Sequence, residues 1–290
     1  MKQQNALVTG ANSGMGKALC RELVLRDFMV IMLCRDRERG NKALEEIKKE
    51  TGKNNVILMI CDLSSLQEIK KCSQKIINEY YTEDNRIKNP GVITVRRSVT
   101  KDDFELQFGV NHLGHFLLTL SLMPCLVKSD SARIVITASG AHKIGKIHFD
   151  NIQLENKYTL WRAYGQSKLA NILFCYELSR KLLEKNINNI TVNCFHPGAV
   201  ATNMGINRKT GFGTFITKLL KPFFKTPEEG ADTGIYLATS SVMKGISGKY
   251  FIDRNEQKSS PLSYDRQIAS RLWEISEKMT GISWENIIEL

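Results

Sequence analysis

The sequence predicts a single α/β domain built on a doubly wound parallel sheet. Along its 290 residues, short apolar runs alternate with longer amphipathic stretches, and this alternation indicates successive βαβ units. The short runs are apolar throughout, as expected for strands that helices cover on both faces of a sheet. No linker-like or low-complexity stretch divides the sequence, so we predict one domain over residues 1–290.

The apolar runs are the predicted strands, and the amphipathic stretches between them are the predicted helices. The strands are Ala6–Thr9, Val30–Leu33, Val56–Ile60, Arg133–Ala138, Thr191–Phe195 and Lys249–Ile252. The helices are Gly14–Arg26, Arg37–Thr51, Leu66–Tyr80, Asp102–Val127, Trp161–Lys185, Thr226–Ala238 and Ser263–Met279. The sixth helix opens with a capping signal, Thr226-Pro227-Glu228-Glu229, and the last belongs to a C-terminal helix and tail over residues 263–290.

Composition and charge narrow the class of protein. Lys and Arg number 41 against 30 acids, a net charge of +11, but the basic residues are scattered without a long run. This favours a solvated basic surface over nucleic-acid binding. The sequence shows no signal peptide and no run of about 18 apolar residues, which predicts a cytoplasmic protein. The seven cysteines form no CxxC pair and the five histidines no metal-ligand spacing, so we expect reduced, buried thiols and no metal site.

A glycine-rich turn follows the first predicted strand. The segment Thr9–Lys17 reads TGANSGMGK, with glycines spaced GxxxGxG where a dinucleotide fingerprint belongs. Glycines there let the backbone approach a pyrophosphate at the N-terminus of the next helix. A P-loop would need Ser or Thr after the lysine, whereas Ala18 follows Lys17. The predicted cofactor residues of this turn are Gly10, Asn12, Ser13, Gly14, Met15 and Gly16.

The end of the second strand indicates which dinucleotide binds. An acid about 20 residues past the fingerprint would bind the ribose of NAD, whereas an arginine would accept the extra phosphate of NADP. Here Cys34 takes the place of the acid and Arg35 follows it. We therefore expect NADP(H) rather than NAD(H), with Arg35 on the phosphate. The alternative is a surface arginine paired with Asp36 or Glu38.

Three further residues suggest acid–base chemistry. Tyr164 and Lys168 lie one helical turn apart in the fifth predicted helix, so their side chains share a face. A nearby ammonium favours the phenolate of a tyrosine and lowers the pKa of the phenol towards neutrality. Ser139 ends the preceding strand, at the sheet edge where open α/β sheets bind ligands.

With these motifs in order, the sequence resembles the short-chain dehydrogenase/reductase family over nearly the whole chain. The resemblance implies a Rossmann-type fold and a catalytic tetrad made of Asn111, Ser139, Tyr164 and Lys168. Three stretches are similar to the retinol dehydrogenase-like subgroup, namely 108–116, 145–149 and 247–251.

The resemblance also implies cofactor contacts outside the glycine-rich turn. These are Asp62 and Leu63 on the adenine side, Asn89 and Gly91 in the turn after a fourth strand, Tyr164 and Lys168, and Pro197, Gly198 and Thr202 around the nicotinamide. In place of the family's Asn-Asn-Ala-Gly turn, this sequence has Asp84–Gly91. That segment is nearly devoid of apolar residues, although its strand is expected in the middle of the sheet.

The implied activity is that of an NADP-dependent alcohol dehydrogenase or carbonyl reductase. Hydride would pass between the cofactor and a lipophilic carbonyl compound, a retinal-like or other aldehyde or ketone, with Tyr164 as general acid and base. Ser139 would orient the carbonyl oxygen, Lys168 would lower the Tyr164 pKa and hold the ribose, and Asn111 would support a water chain. The alternative is a catalytically impaired, cofactor-binding or regulatory relative, which the departure at Asp84–Gly91 favours.

Substrate choice is expected to depend on residues 203–225, between the predicted strand Thr191–Phe195 and the capped helix that begins at Thr226. This segment interleaves Phe212, Phe215, Phe223 and Phe224 with Lys218, Lys221 and Lys225. An apolar lid over the cleft would suit a lipophilic substrate. The same pattern is typical of a peripheral contact with an intracellular membrane and of an ordinary packed amphipathic helix, and both remain alternatives. The family resemblance also implies a homo-oligomer.

Overall fold

The computed structural model describes residues 4–80, 85–89, 94, 96–198 and 225–288. Its strands form one sheet with the order β3-β2-β1-β4-β5-β6-β7-β8. Strands β1 to β7 pair in parallel, and β8 pairs antiparallel to β7. The bounds are β1 Asn5–Thr9, β2 Met29–Cys34, β3 Val56–Ile60, β4 Asn85–Asn89, β5 Ala132–Thr137, β6 Ile190–His196, β7 Lys249–Ile252 and β8 Asn255–Glu256.

Eight helices connect and flank these strands within the described residues. They are α1 Gly14–Leu25, α2 Arg37–Thr51, α3 Leu66–Tyr80, α4 Leu106–Lys128, α5 Leu160–Glu184, α6 Pro227–Thr239, α7 Arg266–Thr280 and α8 Trp284–Ile288. Helix α4 contains one π-helical turn, Gly109–Leu113. The predicted doubly wound parallel α/β fold is therefore confirmed.

Alternate residues of the strands enter two separate apolar layers. In β1, Ala6 and Val8 pack with α1, α2 and α6, whereas Leu7 packs on the other face with α3, α4 and α5. This is the result of the two-residue period of a strand with helices on both sides. The sheet lies between these two layers. Because its strands β1 to β7 run parallel, their carboxyl ends meet at one edge.

Two predicted helices begin later than the sequence indicated, because the polar residues before them have other roles. Asp102 does not start α4: its carboxylate accepts a hydrogen bond from the Leu66 N–H at 2.7 Å and so caps α3. Glu105 caps α4 instead, accepting from the N–H groups of Gln107 and Phe108. Helix α7 begins after Asp265, which caps it. Ser263, the predicted start of α7, belongs to a separate 3-10 turn.

The fourth strand lies in the middle of the sheet, as expected. The backbone of β4 pairs with β1 on one side and β5 on the other. Its sequence is Asn-Arg-Ile-Lys-Asn, and its side chains are outside the described part of the structure. The hydrogen bonds between β4 and its neighbours join backbone groups, so the polar side chains of this segment do not prevent the strand from forming.

Helix α4 is the one described helix long and apolar enough to cross a membrane. In this structure it is a core helix, because 83% of its apolar window is buried inside the protein. The seven cysteines are free and buried, so the prediction of buried thiols is confirmed.

The turn after β5 is held against α5 by a contact between backbones. A Cβ added at Gly145 would lie 2.3 Å from the carbonyl oxygen of Gly165. A side chain at residue 145 would therefore push the turn that follows Ser139 away from the helix.

We expect Gly145→Ala to lower the free energy of unfolding by about 1–3 kcal/mol, because neither backbone can move without disturbing the layer beneath it. Equilibrium urea unfolding measures the change. Gly245→Asn is the matched control: Gly245 has a positive φ of 75° and open space around its Cα, a conformation that asparagine tolerates. A loss at Gly145 no larger than the control's would show that this contact does not fix the turn.

Candidate active site

The glycine-rich turn is shaped by a close approach between its own two ends. A Cβ on Gly16 would lie 2.3 Å from the carbonyl oxygen of Gly10, so only glycine lets the first turn of α1 pack against the end of β1. Gly10 and Gly14 both have positive φ angles, 59° and 52°. The N-terminus of α1 thus points out of the carboxyl edge of the sheet, where it attracts an anion.

Lys17 does not take part in that anion site. Its ammonium pairs with Glu46 at 2.7 Å and with Glu50 at 3.2 Å, both on α2. A P-loop lysine would instead reach the phosphates. The geometry therefore agrees with a dinucleotide turn and not with a nucleotide triphosphate site.

Arg35 is exposed at the end of β2, next to the turn. It makes no ion pair with any described residue, so the predicted alternative, a pair with Asp36 or Glu38, is not formed. Asp36 instead caps α2, accepting from the Arg39 N–H at 2.9 Å. Burial raises the pKa of the neighbouring Cys34 thiol to about 12, so the thiol stays neutral and Arg35 is the charged group at this position.

Asp62 provides a fixed carboxylate at the end of β3. Burial opposes its ionisation, but hydrogen bonds from Ser64 and Lys101 and the charge of Arg35 lower its pKa below the ordinary value. The Ser64 N–H donates to it at 3.0 Å. Leu63 follows, and its carbonyl oxygen lies 2.6 Å from where a Cβ on Gly114 would be. The end of β3 is thereby packed closely onto α4.

Tyr164 and Lys168 lie one turn apart on α5, and both are buried, with 9% and 2% of their surface exposed. The Lys168 ammonium donates to the carbonyl oxygen of Thr137, the last residue of β5, at 3.2 Å. It also lies 5.6 Å from the centre of the Tyr164 ring. Burial lowers the pKa of Lys168 to about 8. The site therefore holds a cation that can lose its proton near physiological pH.

The pKa of the Tyr164 phenol is shifted in the direction opposite to the prediction. Burial raises the pKa of the phenol, and the hydrogen bond with Ser139 offsets only part of this. The predicted shift of the phenol pKa towards neutrality is therefore not found in this structure, because the loss of solvation disfavours the phenolate more than the Ser139 hydrogen bond favours it. A protonated phenol beside a serine hydroxyl is suited to donating a proton.

Ser139 begins a short 3-10 turn, Gly140–Ile144. Its hydroxyl oxygen accepts from the Ala141 N–H at 3.3 Å, and its carbonyl oxygen accepts from Nδ1 of His142 at 2.6 Å. His142 in turn accepts at Nε2 from the Ser260 N–H at 3.1 Å. Ser139 is therefore held through both its hydroxyl and its carbonyl oxygen.

Asn111 lies within the π-helical turn of α4 and is fully buried. Its side-chain amide donates to the Ser167 hydroxyl at 3.1 Å, and that hydroxyl donates to the Tyr164 carbonyl oxygen at 2.9 Å. The structure thus joins Asn111 to the turn of α5 that carries the tyrosine. A π-helical turn is often found at functional sites.

Several predicted cofactor residues are only partly described. Pro197 and Gly198 follow β6 at the same edge of the sheet, and Gly198 has a positive φ of 83°. Asn89 ends β4, with only its backbone described. Gly91, Thr202 and, apart from Lys225, the predicted lid over residues 203–225 lie outside the described residues.

Two histidines near the site were not singled out from the sequence. His142 contacts Ser139, as given above, and His115 lies between Thr9 and Asn111. The only available signal was spacing: His115 comes four residues after Asn111, which places both on one face of a helix. That spacing does not show which polar group a buried imidazole meets.

Comparison with known proteins identifies the family. The family model for short chain dehydrogenases matches residues 4–211. The chain is 41% identical to retinol dehydrogenase 14 from Homo sapiens, covering 97% of this chain and 88% of that protein. It is 40% identical to human retinol dehydrogenase 13, covering 99% and 87%.

Solved structures agree with this result. An uncharacterised protein from Mycobacterium paratuberculosis is 28% identical, with a TM-score of 0.78 over 97% of this chain and 95% of that one. A short chain dehydrogenase from Escherichia coli CFT073, solved in complex with NADPH, is 25% identical, with a TM-score of 0.65 over 86% and 95%. The chain therefore belongs to the short-chain dehydrogenase family of oxidoreductases.

Proposed function

We propose that the protein is an NADP(H)-dependent oxidoreductase that interconverts a lipophilic aldehyde or ketone, such as a retinal-like compound, and its alcohol. The observation that carries the proposal is the meeting of three groups at one sheet edge: the Ser139 hydroxyl, the Tyr164 phenol and the buried Lys168 ammonium. A hydroxyl pair beside a cation can bind a carbonyl oxygen and protonate it.

The residues around the turn fit a dinucleotide phosphate. Gly16 leaves room for the close approach of α1 to the turn, and the exposed N-terminus of that helix favours an anion. Arg35 has no ion pair among the described residues, and its guanidinium is suited to a phosphate. Asp62 supplies a carboxylate on the adenine side. When bound, NADP(H) supplies or accepts the hydride.

The side chains of this chain would then handle the oxygen and the proton. In the reducing direction, the Ser139 hydroxyl donates a hydrogen bond to the carbonyl oxygen and fixes its orientation. The Tyr164 phenol gives its proton to that oxygen. The Lys168 ammonium stabilises the negative charge left on the phenol, and its low pKa lets it pass a proton on. Asn111 holds the Tyr164 turn through Ser167 and supports the supply of water.

Three features support a lipophilic substrate. Relatives about 40% identical over nearly the whole chain are retinol dehydrogenases. In addition, Ile144 and Trp161 are exposed large apolar side chains, at 67% and 63% of their surface. Ile144 ends the Ser139 turn, and Trp161 lies one turn before Tyr164 on α5. The sequence of residues 203–225 supports an apolar lid, with a peripheral membrane contact as a second role.

A second candidate function is a cofactor-binding relative with impaired catalysis. The polar sequence of the central strand β4, with Arg86 and Lys88, favours it. The complete set of Asn111, Ser139, Tyr164 and Lys168 favours turnover. NADPH binding without oxidation by retinal or by a panel of simpler aldehydes would decide for the second candidate.

We expect Tyr164→Phe to lower kcat for carbonyl reduction by about 100- to 10,000-fold, because the variant lacks the proton donor. NADPH binding should be largely kept, because the glycine-rich turn, Arg35 and Lys168 are unchanged. The loss of NADPH absorbance with retinal measures the rate, and NADPH fluorescence titration measures binding.

Tyr176→Phe is the matched control for this experiment. It makes the same chemical change on the same helix, but Tyr176 lies twelve residues after Tyr164, about three turns along α5, and its hydroxyl bonds Ser259 at 2.8 Å. Turnover in Tyr164→Phe close to that of the control would refute the role of Tyr164.

We expect Arg35→Gln to weaken NADPH binding by about 10- to 100-fold, since a charge-assisted hydrogen bond to phosphate contributes about 1.5–3 kcal/mol. NADH binding should hardly change, because NADH lacks that phosphate. Fluorescence titrations with both cofactors make the comparison. Arg37→Gln removes the same charge two residues away and should leave both affinities near wild type; an equal loss there would point to general surface charge instead of a specific contact.

A further inference from the structure

The buried imidazole of His115 joins the glycine-rich turn to Asn111. On α4, the ring is 2% exposed. Its Nε2 lies 3.0 Å from the hydroxyl of Thr9, the last residue of β1 and the one before Gly10. Its Nδ1 lies 3.2 Å from the carbonyl oxygen of Asn111. One rigid ring therefore contacts two parts of the site that are distant in the sequence.

The partners of the ring define its tautomer. A carbonyl oxygen can only accept, so Nδ1 carries the hydrogen and donates it to Asn111. Nε2 is then the acceptor, and the Thr9 hydroxyl donates to it. Burial, together with the charge of Lys168, lowers the pKa of His115 to about 3. The ring stays neutral, and this orientation of its two bonds persists at physiological pH.

The hydrogen bonds continue from Asn111 to helix α5. The Asn111 amide donates to Ser167, and Ser167 donates to the carbonyl oxygen of Tyr164. Thr9, His115, Asn111, Ser167 and Tyr164 thus form one chain of buried groups. It runs from the turn that would hold the cofactor to the tyrosine that would protonate the substrate.

His112 offers a direct contrast on the same helix, in the π-helical turn that carries Asn111. It is equally buried, and burial lowers its pKa to about 3 as well. Its Nε2, however, lies 2.8 Å from the Ser276 hydroxyl on α7, and its ring packs among Phe108, Phe116 and Phe174. His112 therefore connects α4 to the C-terminal helix and not to the site.

We propose that His115 is a positioning residue, which fixes the glycine-rich turn relative to Asn111 and, through Ser167, to Tyr164. This inference rests on the proposed function. Hydride and proton transfer need the cofactor and the phenol in a fixed relative position. A rigid ring with two directed hydrogen bonds holds that position better than a flexible side chain.

Two substitutions break the two links separately. His115→Asn keeps an N–H near the position of Nδ1, and so keeps the bond to Asn111, but loses the acceptor for Thr9. We expect weaker NADPH binding by about tenfold, with a small change in kcat. His115→Gln keeps an acceptor near the position of Nε2 but loses the bond to Asn111. We expect kcat to fall by about tenfold, with NADPH affinity near wild type.

His112→Gln is the matched control and should lower the melting temperature without this split between affinity and kcat. If both His115 variants lost only thermal stability, as the control does, the positioning role would be overturned. A loss of kcat and of NADPH affinity to the same extent in both variants would also overturn it, because the two links would then not act separately.

A measurement that needs no turnover completes the test. Nitrogen-15 NMR of the histidine rings, with the His115 signals assigned by their absence in His115→Gln, should show neutral imidazole protonated at Nδ1 at neutral pH. Protonation at Nε2 would overturn the proposal. Should wild type reduce no carbonyl compound, the proposed function fails, while the NADPH affinities and the NMR tautomer still decide the role of His115.

Discussion

The buried ammonium of Lys168 is the constraint on which the site depends. It has 2% of its surface exposed, and its described hydrogen bond is to the Thr137 carbonyl oxygen, which the Asn171 amide shares at 3.1 Å. A buried cation disfavours folding until it loses its proton. Because its pKa is below that of a lysine in an unfolded chain, its cost is present below pH 8 and is relieved as the pH rises above 8. The fold nevertheless holds this cation beside the Tyr164 phenol, with its hydrogen bond to the last residue of β5.

The sheet supplies the rest of the arrangement through its topology. Because β1 to β7 run parallel, the glycine-rich turn, Arg35, Asp62 and Ser139 all emerge at the same edge. Close approaches between backbones then set their spacing: Gly16 against Gly10 in the turn, and Gly145 against Gly165 beside Ser139. Buried hydrogen bonds through His115 and His142 connect the pieces. The site is therefore positioned mainly by backbone groups and neutral imidazoles, which are rigid and insensitive to pH near neutrality.

The sequence was sufficient to predict the fold and the meeting of Ser139, Tyr164 and Lys168 at one sheet edge, but not the contacts between distant residues. Helices α2 and α3 have the predicted bounds, since their apolar periodicity is local. The start of α4 was misplaced because Asp102 caps α3, an interaction across 36 residues. The Tyr164 pKa was predicted in the wrong direction, because the extent of its burial follows from packing and not from spacing. The role of His115 depends on Thr9, more than a hundred residues away, which no local pattern indicates.

The central claim is that Lys168 is a buried cation poised to release its proton near pH 8. Carbon-13 NMR of lysine labelled at the ε carbon follows that proton directly, and the Lys168→Met variant assigns the signal. The structure predicts a titration midpoint near pH 8. A midpoint at the ordinary lysine value, about 10.4, would show that the ammonium is solvated and would contradict the arrangement of Lys168, Tyr164 and Ser139 described above.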